Sequence, residues 1–178
     1  MDTRYRLLET NLGHLAIVGT NRGLRRVYLP QRRGDLLRHI KSESPGCVCD
    51  NKLLPRLADD LRRYCAGRHP VEFKVRFDWD SATDFLRDIW QACFRIKYGR
   101  TITYTRLAER AGHAGAARAV GTAMAHNHCP IVVPCHRVLR SDGALGGYSS
   151  PGGISFKQRL LDMEATARNA RQRRSPRR

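Results

Sequence analysis

A chain of 178 residues has room for one domain, or for two small ones sharing a core, and its 41% hydrophobic content is that of a globular protein. No apolar run approaches the length of a membrane-spanning helix. Lys and Arg number 33 against 16 Asp and Glu, a net charge of +17, so the surface attracts polyanions and points to nucleic acid.

In chain order, apolar runs at 5–8, 15–18 and 24–29 predict a small antiparallel meander. Asn11-Leu12-Gly13 and Thr20-Asn21-Arg22-Gly23 supply its turns. Two helices follow. One is short, around Leu36, Leu37 and Ile40. The other carries Leu53, Leu54, Leu57 and Leu61 on one face, and Ser44-Pro45-Gly46 marks the loop between them. Val71 to Phe77 alternates apolar and polar residues and predicts a strand with one wet face. Cys47-Val48-Cys49 is more closely spaced than zinc ligands and no matching pair follows, so no metal is expected there. The N-terminus Met1-Asp2-Thr3-Arg4-Tyr5 lacks signal-peptide character, so the six cysteines are expected to be reduced thiols in a cytoplasmic protein. Nothing in residues 1–80 names a chemistry, and this part reads as a structural domain.

The character changes after Asp80. Ser81-Ala82-Thr83-Asp84 has the form of a capping box. Phe85, Ile89, Trp90, Cys93 and Phe94 form a helical stripe that Gly99 ends. Helices over about 104–111 and 116–126, joined by Gly112-His113-Ala114-Gly115, read as a helix-turn-helix. The second helix is lined by Ala116, Ala117, Ala119, Gly121, Ala123 and Ala125. Such a face permits close approach, either to another part of the protein or to DNA. Arg118 stands among these residues as a phosphate contact, a wedge in the base stack or an ordinary solvated arginine.

Asn127-His128-Cys129-Pro130 breaks that helix and leads into Ile131-Val132-Val133-Pro134-Cys135-His136-Arg137-Val138-Leu139. The thiolate is the nucleophilic form of cysteine, and His136 is placed to take the thiol proton, directly or through one water. The stretch predicts a buried, activated cysteine at the end of a strand, with Pro134 opening a turn. A Cys-His pair alone is equally compatible with core packing. Gly146-Gly147-Tyr148-Ser149-Ser150-Pro151-Gly152-Gly153 is a pocket wall or a linker. A last helix from about Ser155, capped by Ser155 and Gln158, carries Phe156, Leu160, Leu161 and Met163, with Glu164 near its end. An acid late in a helix opposes the dipole, which marks Glu164 as a fixed partner, for instance of His136. Arg168 to Arg178 holds six arginines in eleven residues and predicts a disordered tail.

Together these residues resemble the O6-alkylguanine-DNA alkyltransferases (methylated-DNA–protein-cysteine methyltransferases). The resemblance rests on Pro134-Cys135-His136-Arg137, Tyr104, Arg118-Ala119-Val120-Gly121, Met124, Asn127, Pro130, Gly146-Gly147-Tyr148-Ser149 and Leu160-Leu161 with Glu164, and it covers about 81–166. It implies an α/β N-terminal domain over 1–80, built on a small antiparallel sheet with helices. A mostly α domain over 81–166 would carry a winged-helix-like helix-turn-helix, followed by a basic tail over 167–178. It implies that Cys135 accepts an alkyl group, once and irreversibly, from O6-alkylguanine in double-stranded DNA, and by extension from O4-alkylthymine. His136 would deprotonate Cys135 through a water, Glu164 would orient His136, and Asn127 would tie the helix-turn-helix to the active-site stretch. Tyr104, Ser149 and the Val138 carbonyl would bind the base, and Met124, Pro130 and Tyr148 would line its pocket. Arg118 would fill the gap left by the extruded nucleotide, with Ala117, Ala119, Gly121 and Arg137 also at the DNA. The resemblance implies a monomer with no cofactor, working at the nucleoid in a bacterium or in the nucleus of a eukaryote. Some relatives bind zinc near the N-terminus, but residues 1–35 have no Cys and one His, His14, so none is expected. A helix-turn-helix regulator with an incidental cysteine and a cysteine hydrolase remain rival readings.

Overall fold

The computed structural model describes residues 2–68 and 70–174, with side chains described through residue 167. Its first three strands are the predicted meander: β1 (Arg4–Thr10), β2 (Gly13–Thr20) and β3 (Gly23–Gln31). A fourth, β4 (Val48–Cys49), joins β1 in parallel, so the sheet is mixed rather than purely antiparallel, in the order β3-β2-β1-β4. Central β2 is covered on both faces. Ala16 and Val18 meet Tyr28 and the Leu36 and Ile40 face of α1 (Arg33–Glu43). Each such aliphatic side chain contributes about 1.5–3 kcal/mol when fully buried. Leu15 and Ile17 point the other way, toward α2 (Pro55–Cys65) and the main core.

Two local expectations shift. Leu53 and Leu54 precede α2 rather than sitting in it, because Leu54 is left-handed (φ 43°) and Pro55 opens the helix. Its buried face is Leu57, Ala58, Leu61, Tyr64 and Cys65. Residues 71–77 are extended, with Phe73, Val75 and Phe77 turned to the core, yet they form no strand ladder. They meet β3 only at its start, where Leu24 N–H donates to Arg76 O at 2.8 Å and its carbonyl accepts from Asp78 N–H at 2.8 Å. The alternation reports burial, and the pairing edge needed for a strand is missing. That crossing requires glycine at 23, where φ is +147° and a Cβ would lie 2.2 Å from Arg76 O.

The second half is mostly helical, as the sequence implies. The cap of α3 (Asp84–Phe94) is Thr83, which accepts from Leu86 N–H at 3.3 Å, two residues later than the expected box. β5 (Ile102–Thr103) leads into α4 (Tyr104–Arg110), and α5 (Ala117–Ala125) follows as the second helix of the predicted pair. Trp90 Nε1 donates to Ala123 O at 2.9 Å and pins α5 onto α3. β5 pairs in parallel with β6 (Val138–Leu139). The last helix, α6 (Gly153–Arg174), starts before the expected Ser155 cap and runs on through most of the expected disordered tail. Glu164 therefore lies in mid-helix, not near an end. Residues 175–178 of the expected tail fall outside the described residues. One apolar cluster draws Leu8, Leu24 and Leu61 from the first 80 residues and Trp90, Leu107, Val133 and Leu160 from the rest.

Gly23→Ala is expected to lower stability by roughly 2–4 kcal/mol, because strain and a backbone collision coincide. Urea unfolding checks this against Gly67→Ala, which carries the strain but where a Cβ meets nothing within 4 Å.

Candidate active site

Cys135 sits in a 3-10 turn, Cys135–Arg137, that precedes β6, rather than at the end of a strand. Residues 131–133 are β-branched but make no ladder. Ile131 is left-handed (φ 72°), Val133 N–H donates back to Cys129 O at 2.7 Å, and Pro134 has no N–H to give. Pro134 starts the turn as anticipated, accepting from Arg137 N–H at 2.9 Å. A 3-10 turn rotates successive residues by about 120°, so the three side chains fan out in different directions.

His136 and Arg137 turn inward and converge on Glu164 of α6, which is 1% exposed. Glu164 Oε1 accepts from His136 Nε2 at 2.8 Å, from Arg137 Nη2 at 2.9 Å and from the Tyr64 hydroxyl at 2.7 Å. Oε2 accepts from Arg137 Nε at 2.9 Å and from Gly99 N–H at 2.9 Å. Burial alone would raise this carboxyl, but His136 and Arg137 more than offset it and hold Glu164 well below the usual carboxylate range. The expected Glu164–His136 partnership is therefore present, with more donors than anticipated. Arg137, expected at the DNA, is instead buried: Nη1 also donates to Ile96 O at 2.6 Å, and the guanidinium lies over the Tyr98 ring. A buried carboxylate needs a cation, and Arg137 is the one that answers it.

Burial lowers His136, so the imidazole is neutral at pH 7. Nε2 faces a carboxylate that only accepts, so it carries the proton and leaves Nδ1 as the basic nitrogen. Burial pushes the Cys135 thiol up, with Asn127, Lys157 and Tyr148 opposing that shift. Asn127 donates from Nδ2 to Cys135 Sγ at 3.1 Å and to Val133 O at 2.8 Å, while its Oδ1 accepts from Cys129 N–H at 2.9 Å. It thus binds the end of α5 to the cysteine turn and solvates the sulfur.

The thiol opens into a cleft of about 420 Å³, within the range of small-ligand pockets. Tyr104, Gly121, Met124, Asn127, Pro130, Tyr148 and Ser149 line it, so most of the sequence-predicted pocket residues meet there. Gly146 (φ +68°) also lines it; a Cβ at 146 would lie 3.0 Å from the Tyr104 hydroxyl. Val138 is not among the lining residues, and its carbonyl accepts from Lys157 Nζ at 2.7 Å. On α5, Val120, Ala123 and Met124 face inward, Arg118 and Ala119 are exposed, and open space surrounds Gly121. The small residues are therefore divided: Ala123 packs in the core and Ala116 against it, while Ala119 and Ala125 stay exposed.

Two participants escaped the sequence reading. Lys157 is 0% exposed and also donates to Leu145 O, which ties the 140–148 loop to α6. Its signal was spacing: 157, 160 and 164 share one buried helix face. Tyr64 had no such signal, because it lies 100 residues from Glu164.

A buried thiol hydrogen-bonded by Asn127, followed in the chain by a buried histidine–carboxylate pair and opening into a cleft bordered by a helix-turn-helix, defines a cysteine-dependent enzyme. Residues 84–166 match the family model described as the DNA binding domain of 6-O-methylguanine DNA methyltransferase. The methylated-DNA–protein-cysteine methyltransferase of Mycobacterium tuberculosis is 36% identical over 160 residues, covering 90% of this chain and 91% of that protein. The enzyme of the same name from Methanosarcina barkeri is 35% identical, covering 90% and 96%. The crystal structure of Mycobacterium tuberculosis OGT in complex with DNA superposes with a TM-score of 0.77 at 34% identity, covering 92% of this chain and 94% of that one. This chain belongs to the methylated-DNA–protein-cysteine methyltransferase family.

Glu164→Gln would leave the Arg137 guanidinium buried without its counter-charge, at an expected cost of about 3–5 kcal/mol in stability. Because the folded-state Glu164 is depressed, its contribution is fully present above the unfolded carboxyl value, about 4.3, and is lost as pH falls below it. Urea unfolding at pH 7 and below pH 4 is expected to show the gap between the two proteins narrowing in acid.

Proposed function

We propose that this protein repairs DNA by direct reversal, moving an alkyl group from O6-alkylguanine to Cys135 in a single irreversible turnover. The observation that carries the reading is the Cys135 thiol lining the cleft, hydrogen-bonded by Asn127, with the buried His136–Glu164 pair beginning at the next residue. A base inside a duplex cannot reach such a thiol, so the nucleotide is extruded at a cost of roughly a few kcal/mol. The exposed Arg118 takes the vacated place in the stack, while Ala117, Ala119 and Gly121 let α5 approach the groove. Tyr104 and Ser149 hold the base, and Met124, Pro130 and Tyr148 enclose it.

The resting thiol is neutral, which protects it from stray electrophiles. His136 takes its proton on Nδ1, directly or through one water, and Glu164 balances the imidazolium formed. Asn127 and Lys157 favour the thiolate. The sulfur pair attacks the alkyl carbon in line, the S–C bond forms, and the C–O6 bond breaks with its electrons passing into the purine. Guanine is restored on taking up one proton, which matches the proton lost by the thiol. The thioether is stable and no group in the site displaces it, so the protein is spent. O4-alkylthymine presents the same alkyl–oxygen bond and is a second substrate on this reading.

Incubation with a duplex bearing one O6-methylguanine, followed by intact-protein and peptide mass spectrometry, is expected to find one methyl group per chain on the Cys135 peptide and none in Cys135→Ser. An unchanged mass with retained lesion binding would overturn the transfer reading and leave a damage-sensing protein. Arg118→Ala is expected to slow transfer from duplex by about tenfold or more and to matter little on a single-stranded oligonucleotide, where nothing needs to fill a gap.

A further inference from the structure

The first 80 residues contribute one side chain to the proton-handling machinery. Tyr64 lies in the last turn of the buried face of α2 and is 0% exposed. Its hydroxyl lies 2.7 Å from Glu164 Oε1 and 3.3 Å from His136 Nε2. Phe73 packs against the ring at a centroid distance of 5.9 Å and Tyr98 meets it edge-on at 6.2 Å, so the oxygen has a fixed position. A carboxylate only accepts, and burial pushes the phenol well above its ordinary value, so Tyr64 is the donor.

We propose that Tyr64 is a positioning residue for the Glu164–His136 pair, so that α2 of the first 80 residues completes the base that activates Cys135. This rests on the alkyl-transfer reading. Oε1 shares its charge among His136, Arg137 and Tyr64. Each donor that draws on that charge leaves less of it to stabilise an imidazolium. The carboxylate then holds the imidazole in its Nε2–H tautomer without fixing a proton on Nδ1, and Nδ1 stays basic but unprotonated. The other groups facing the pair are Arg137 on the turn, Lys157 on α6, and Tyr98 before β5, with Cys135 on the turn as the proton's source. Of all these, Tyr64 alone comes from the first 80 residues. A ring that merely filled space would act equally well without its oxygen.

The test uses full-length protein in excess over an O6-methylguanine duplex, with single-turnover transfer followed across pH for wild type, Tyr64→Phe and Phe73→Leu. Loss of the hydroxyl concentrates the Glu164 charge on His136, which then binds a proton more tightly. The acid limb of the Tyr64→Phe profile is expected to move up by roughly half to one pH unit, with DNA binding and stoichiometry unchanged. Replacing Tyr64 with 3,5-difluorotyrosine keeps the ring and strengthens the donor, and is expected to move the limb down. This variant also serves if Tyr64→Phe does not fold. A limb that stays in place in both, or an equal shift in Phe73→Leu, overturns the inference. His136 titration followed by NMR on the DNA-free proteins reads the same shift without transfer. Wild type that fails to transfer thus sinks the alkyl-transfer reading, while an unmoved His136 titration sinks the role of Tyr64.

Discussion

The buried carboxylate of Glu164 is the constraint on which the rest of this structure depends. An isolated carboxylate in a protein interior is too costly to keep charged, so every lone pair must be answered. Here the answers come from three places in the chain: α2 through Tyr64, the backbone at Gly99, and the cysteine turn through His136 and Arg137. Meeting that demand brings the turn against α6 and orients the imidazole. Arg137 supplies the opposing charge, which is why the last residue of the Pro-Cys-His-Arg run points inward rather than toward a nucleic acid.

Around that anchor the fold separates two kinds of surface. The inner face of α5 is fixed by Val120, Ala123 and Met124 and by the Trp90 hydrogen bond, which leaves Arg118 and Ala119 outside. The C-terminal end of the same helix passes into Asn127, whose amide reaches both the turn backbone and the sulfur. One helix therefore links the outward-facing arginine to the Cys135 thiol through Asn127. Lys157 does the corresponding work on the other side, holding the loop that carries Gly146 and Tyr148 at the cleft. Among these groups burial pushes the thiol up, and Asn127, Lys157 and Tyr148 oppose that shift.

Periodicity made much of the architecture legible. The meander, α1, the stripe of α3 and the helix pair around Gly112 all follow from local patterns of burial and turn chemistry. The same rule misled at 71–77, where alternation marked burial in a segment with almost no pairing partner, and at α6, whose helix continued through arginines that composition alone assigned to a disordered tail. Capping was misplaced for a different reason: Ser81, Thr83 and Ser155 are all chemically competent, and the path of the chain selects among them.

At the site, the residues themselves were local information. Cys135, His136 and Glu164 stand out in the sequence by their chemistry, while Asn127 and Tyr104 are marked by the family resemblance. Their partnerships were not local. Which neighbour of Cys135 faces the cleft and which is buried depends on a 3-10 turn that the β-branched run did not foretell. That Arg137 answers Glu164, that Lys157 closes on Val138, and that Tyr64 reaches across 100 residues to the same carboxylate are consequences of packing. Sequence by itself determined the chemistry available, because side-chain identity does not depend on the fold. Only the tertiary structure decided which groups share a buried charge, because that cost is set by burial and distance, and neither exists until the chain has folded.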